Sequence, residues 1–218
     1  MFKLNRLLIA AVLAVVSSSL FANWEVYPPP GPWGTPIGTF AHLENALQAV
    51  TGDDYFIVMT GDTQESPSPT PQPFNRHGLT IILGGYKLTL FPNSNTQNYL
   101  LEVGGTGEVR IESGRVGGEG KLFHVQGGKL CLNDVHVAMD TGEPLVVEDG
   151  AGVEITNGSE VSLFHDTPTI LIRGDRVGGQ SQGIKSTLLV NDGGMVCNGK
   201  AGGAISRRNG RESGCRGR

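Results

Sequence analysis

Apolar residues along this chain follow two rhythms. Up to residue 50 they come as a run and then a helical stripe. Beyond it they alternate with polar residues in short stretches punctuated by glycine. The first run, Leu7–Val16, follows Lys3 and Arg6 and leads into the small residues Ser17–Ser19 and Ala22. This pattern predicts a Sec signal peptide over residues 1–22, cut after Ala22; ten apolar residues are too few to cross a bilayer. No cysteine follows the run, which argues against a lipid anchor, and no later stretch is long enough for a transmembrane helix. Residues 23–38 hold five prolines and two tryptophans up to Pro36, and predict an extended segment with neither helix nor inner strand. Phe40, Leu43, Ala46, Leu47 and Val50 then form one stripe, predicting a helix over Phe40–Val50 with Thr39 as N-cap and Gly52 as its stop.

From residue 54 onward the period changes to two. Asp54–Met59, Leu79–Leu83, Lys87–Phe91, Tyr99–Val103, Thr169–Ile172, Ser186–Val190 and Met195–Cys197 read as short strands, with turns at Gly84-Gly85, Pro92–Asn98 and Asn191–Gly194. Ser66–Pro73 carries proline at every second position and reads as a polyproline-like surface excursion. Three stretches align with one another: Leu101–Val116, Leu122–Val137 and Leu145–Val161. Val103, Val125 and Val147 recur every 22 residues, and Ile111, Leu132 and Ile155 at intervals of 21 and 23. Such a unit is too short for a strand–helix crossover. It fits three strands and three corners, one coil of a solenoid stacked on copies of itself. The expected fold is all-β: a right-handed parallel β-helix over residues 39–206 with an N-terminal capping helix, about five to seven rungs and about 25–35 Å long at 4.8 Å per rung. Arg173–Lys185 reads as a loop inserted between rungs. The alternative is a β-sandwich, which also suits short, evenly spaced strands.

Stacking makes specific columns. Glu102, His124 and Val146 should form one outward column, Glu112, Asn133 and Thr156 a second, and Arg110, Cys131 and Glu154 a third. None concentrates acids or ligands. The paired acids Asp53-Asp54 and Glu148-Asp149 read as turn residues, because strand neighbours point to opposite faces unless the turn at Gly150 twists them together. His42, His77, His124, His136 and His165 lack metal-ligand spacing. The expectation is no catalytic, cofactor-binding or metal site.

Charge narrows the partners. Two of the 17 Lys and Arg lie in the first 22 residues and five follow Ser206. That leaves ten against 20 Asp and Glu in the body, net −10, which argues against nucleic acid. The tail, residues 207–218, carries five Arg and one Glu with no apolar period. It reads as basic and disordered, or as the mark of a truncated or frameshifted longer protein. Three cysteines, Cys131, Cys197 and Cys215, cannot all pair, and Cys131 reads as a strand residue.

The pattern F-x-x-L-x-x-A-L followed by G-D-D-x-x-I-V (Phe40, Leu43, Ala46, Leu47, then Gly52, Asp53, Asp54, Ile57, Val58) resembles the opening of pectate-lyase-like right-handed β-helix proteins. Gly202–Ile205 is similar to the GGAI repeat of polymorphic outer membrane proteins, which are autotransporter passengers, although it occurs once and without the companion F-x-x-N. The resemblance implies a helix that caps the first coil and an exported surface protein. If the chain were an enzyme, it would imply a polysaccharide lyase or glycosidase. The combined expectation is a non-catalytic protein that is secreted or held at the cell surface or outer membrane. Its role would be adhesion or another surface interaction with glycans or cell-surface proteins; a carbohydrate-active or carbohydrate-binding β-helix is the alternative.

Overall fold

The computed structural model describes residues 23–92, 98–165, 167–173, 176–177, 180–181, 186–198 and 205–208. The expected signal peptide, Cys215 and most of the basic tail lie outside the described residues. Strands dominate, and they are arranged as a parallel β-solenoid of three faces.

The first face stacks β3 (Phe56–Met59), β5 (Leu79–Ile82), the start of β8 (Glu108–Gln126), the start of β9 (Lys129–Glu148), β10 (Gly152–Thr156) and β15 (Thr187–Val190), all parallel. The second face stacks β4 (Thr63–Glu65), β6 (Lys87–Leu90), the middle of β8 and of β9, β11 (Glu160–Leu163) and β16 (Met195–Asn198). The third stacks β7 (Tyr99–Gly104), the ends of β8 and β9, β12 (Ile170–Arg173) and β17 (Ile205–Arg208). β17 takes in Arg207 and Arg208, two residues past the expected domain end. The insertion expected after β12 contains β13 (Arg176–Val177) and β14 (Gln180–Ser181), paired antiparallel.

The columns read from the sequence are the columns of the fold. Val103 stacks on Val125 and Val125 on Val147; Ile111, Leu132 and Ile155 stack likewise. The three outward columns also have the expected register. Two of their members, Cys131 and Val146, are nevertheless buried. Cys131 lies between Arg110 and Glu154, whose long side chains flank it on both rungs, and burial pushes its thiol pKa up.

The corners explain why β8 and β9 run on without a break. Within β8 and β9 the first corner is turned by a single left-handed residue, Ser113 (φ 54°) and Asp134 (φ 56°), whereas the turns after β10 and β15 pair such a residue with glycine, Asn157-Gly158 and Asp192-Gly193. Short polar side chains tolerate this region best among non-glycine residues. Within β8 and β9 the turn between second and third faces is made by glycine, at Gly118, Gly120 and Gly142. A Cβ on Gly142 (φ 112°) would sit 1.8 Å from the Gly120 carbonyl oxygen of the coil beneath.

Two N-terminal expectations need correction. Trp24–Tyr27 (β1) is an inner strand, antiparallel to β3 on one side and to β2 (Gly38–Phe40) on the other. The prolines begin only at Pro28, so the alternating stretch WEVY is free to donate to both neighbours, and Trp24 and Val26 are fully buried. The helix, α1, is shorter than expected, Leu43–Ala49, because Thr39 and Phe40 pair with β1. It packs on β1 and β2 and sends Leu43 and Ala46 into the core. The pairing that covers the edge of β3 is made by β1 and not by the helix.

Candidate functional site

On the third face the first coil lacks a full rung. Among the described residues only Phe74 reaches Val103 there, as a single bridge. The prolines at 67, 69, 71 and 73 have no N–H to donate, so this stretch cannot form a ladder strand. Between it and α1 lies a cavity of about 840 Å³ with Leu100 and Glu102 of β7 among its lining residues.

The walls are held by side chains that are already engaged. Glu65, whose side chain is 3% exposed, accepts from Trp24 Nε1 at 2.7 Å and from the Leu43 N–H at 3.0 Å; its other oxygen lies 3.3 Å from His42 Nδ1. His42 makes no side-chain cap of its own, so the carboxylate from β4 serves as the cap of α1. Burial pushes the Glu65 pKa up, and the Trp24 and Leu43 bonds only partly oppose this. Glu44 accepts from Ser68 Oγ at 2.7 Å and so ties the helix to the proline segment. Arg76 donates to the Val50 carbonyl, and Asn98 donates to the carbonyls of Ser68 and Pro69 at 2.9 and 3.1 Å. Among the described residues, the side chains of Gln64, Gln72 and Glu102 line the cavity and make no hydrogen bond.

One rung further along, Glu102 stacks beside His124. His124 Nε2 lies 2.6 Å from Glu148 Oε1, with both side chains mostly buried. The Tyr99 ring is tilted over His124 at 4.8 Å, its hydroxyl donates to Glu143 at 2.6 Å, and Lys121 Nζ lies 3.5 Å from the same carboxylate. Asp149 accepts from Gln126. Glu148 and Asp149 therefore both reach back to the preceding rung. Strand alternation does not separate them, because the turn begins at Asp149 itself (φ 54°) and not at Gly150. Asp53 accepts from the His77 N–H at 3.0 Å and Asp54 occupies a left-handed turn position, so this pair shapes a corner. Among the described residues no group of three or more His, Cys, Asp or Glu could hold a metal ion, and no helix is long and apolar enough to cross a membrane.

The sequence reading missed the groove. Its signal was present in Ser66–Pro73: alternate prolines at the place where the solenoid period required a strand leave a rung unfilled. The fold defines the class as a parallel β-solenoid with a groove beside its first coil. No family model, curated protein or solved structure significantly matches the chain.

Proposed function

We propose that the protein is a non-catalytic, exported β-solenoid, displayed at or released from the cell surface, whose groove takes part in adhesion or another surface interaction. The observation that carries this reading is the groove: a cavity of about 840 Å³ whose walls are fixed by engaged side chains, while Gln64, Gln72 and Glu102 stand ready for a ligand. Lys3, Arg6 and the apolar run Leu7–Val16 support export. The pattern from Phe40 to Val58 supports kinship with pectate-lyase-like solenoids, and Gly202–Ile205 with autotransporter passengers. Glycans and cell-surface proteins are the partner classes to test.

The test is binding of the chain from Asn23 onward to an array of glycans and surface proteins. It is compared with a variant carrying Gln64→Ala, Gln72→Ala and Glu102→Ala. We expect saturable binding to at least one class, weakened about tenfold or more by the triple substitution, since each lost hydrogen bond is worth up to about that factor. Undiminished binding by the variant would sink the groove reading.

A second reading, a carbohydrate-active enzyme, draws support from the His124–Glu148 pair with Tyr99, Lys121 and Glu143 around it. Incubation with acidic polysaccharides separates the two. Unsaturated products absorbing in the ultraviolet, formed by the wild type and abolished by His124→Ala, would replace the non-catalytic reading.

A further inference from the structure

We propose that the groove captures its partner by strand addition: an extended, proline-free peptide bearing arginine or lysine completes the missing third-face rung beside β7. This rests on the groove being the binding site, as argued above, and adds how it binds and what it selects.

β7 is paired along one edge with β8. On its other edge, among the described residues, Phe74 alone contributes, its N–H donating to the Glu102 carbonyl at 2.8 Å and its carbonyl accepting from the Gly104 N–H at 3.0 Å. In a parallel ladder the N–H and C=O of one residue point to the same side, and alternate residues share that side. Leu100 N–H, Leu100 C=O and Glu102 N–H therefore face the same edge as the groups Phe74 engages. Among the described residues they have no backbone or side-chain partner, and both residues line the cavity. Further along this face, the β8 and β9 segments are paired on both sides.

Ser66–Pro73, the segment at that level, cannot fill the gap itself, because it carries a proline at every second position. A peptide with free N–H groups can, as in other cases of strand addition to an exposed edge. Charge then selects among peptides. The cavity is lined by Glu44, Glu65 and Glu102 against Arg76 and His42, and Arg76 is engaged with the Val50 carbonyl. Glu102 makes no hydrogen bond among the described residues and flanks the open edge, where a guanidinium or ammonium group would meet it.

The probe is a fluorescein-labelled hexapeptide of alternating arginine and valine, titrated by anisotropy against the chain from Asn23 onward. Three companions decide the mechanism: the peptide N-methylated at alternate bonds, the peptide with glutamate for arginine, and the protein with Glu102→Lys. We expect saturable binding of the parent peptide. N-methylation should weaken it about tenfold or more, because it removes ladder donors worth up to about that factor each. The glutamate peptide and the Glu102→Lys protein should each bind the more weakly, and amide exchange at Leu100 and Glu102 should slow in the complex. Equal binding of parent and N-methylated peptides, or no gain in protection at these amides, overturns strand addition. Equal binding of the glutamate peptide overturns the charge selection. If peptide binds only after residues 209–218 are removed, the occupant is the chain's own tail and the separate partner is overturned. If the array detects a ligand lost in the triple variant while no peptide binds, strand addition fails and the surface-binding reading stands.

Discussion

Ile57 and Val190 stand at opposite ends of one column of inward side chains, which runs Ile57, Ile81, Ile111, Leu132, Ile155, Val190. The first five are at most 4% exposed, whereas Val190 is 39% exposed. The two ends differ in what lies beyond them. Ile57 pairs with Val26 of β1, which closes the first coil from outside the repeat. Among the described residues nothing pairs with the far side of β15, and Leu188 and Val196 of the last coil are likewise only half-buried. Apolar identity therefore does not set burial in a solenoid. The next layer does, and each layer owes its stability to its neighbours.

The contrast can be broken most severely in the interior. Gly142→Ala drives a Cβ into the Gly120 carbonyl of the adjacent coil. It should cost about 3 kcal/mol or more, or prevent folding altogether. Gly158→Ala, at a corner beneath the last coil with open space around its Cβ position and φ 74°, should cost only about 1 kcal/mol of left-handed strain. Urea unfolding of the two variants gives the ratio directly.

Within the column itself, Leu132→Ala should cost about 2–5 kcal/mol, because a fully buried side chain leaves a cavity between two coils. Val190→Ala, at the exposed end, should cost less than about 1 kcal/mol, in proportion to the smaller apolar area it removes from water. Equal costs would mean that the last coil is covered in solution.

Trp24→Phe probes the closed end more gently. A smaller aromatic ring stays, but Glu65 loses its 2.7 Å donor while remaining buried, for a cost of about 1–3 kcal/mol in thermal unfolding.

The smallest effect is one of pH. Because the folded state raises the Glu65 pKa, it binds that proton more tightly than the unfolded chain does. This contribution is fully present below the ordinary carboxylate pKa and is lost as pH rises through the raised folded value. Glu65→Gln keeps an acceptor for Trp24 and Leu43 and should remove that part of the decline, so the variant's melting temperature falls less between mildly acidic and neutral pH. A variant whose melting profile parallels the wild type across that range would contradict it.

Much of the solenoid was legible because its period is written in inward residues. Val103, Val125 and Val147 have no other reason to recur every 22 positions, and a one-residue slip would turn each of them outward. The closing strand was harder to read. Five prolines between Pro28 and Pro36 obscured the four-residue alternation of Trp24–Tyr27, and the helical stripe from Phe40 masked the fact that Thr39 and Phe40 pair with β1. The groove was hard to read for a different reason, its one signal being the alternate prolines of Ser66–Pro73. It is made by a rung that is absent, and the residues that shape it, Glu44, Glu65, Asn98 and Glu102, come from three separated segments brought together by the winding of the coils. Glu65 sits next to the proline run and gave no sign that it caps a helix beginning 22 residues before it.

Native-state hydrogen exchange of the backbone amides tests the central contrast between a closed and an open end most directly. The account predicts the slowest exchange at Ile57, Ile111 and Leu132, limited by global unfolding, and exchange faster by orders of magnitude at Leu188–Val190 and Val196, through local opening of the last coil. Protection of the last coil equal to that of Ile57 would contradict it.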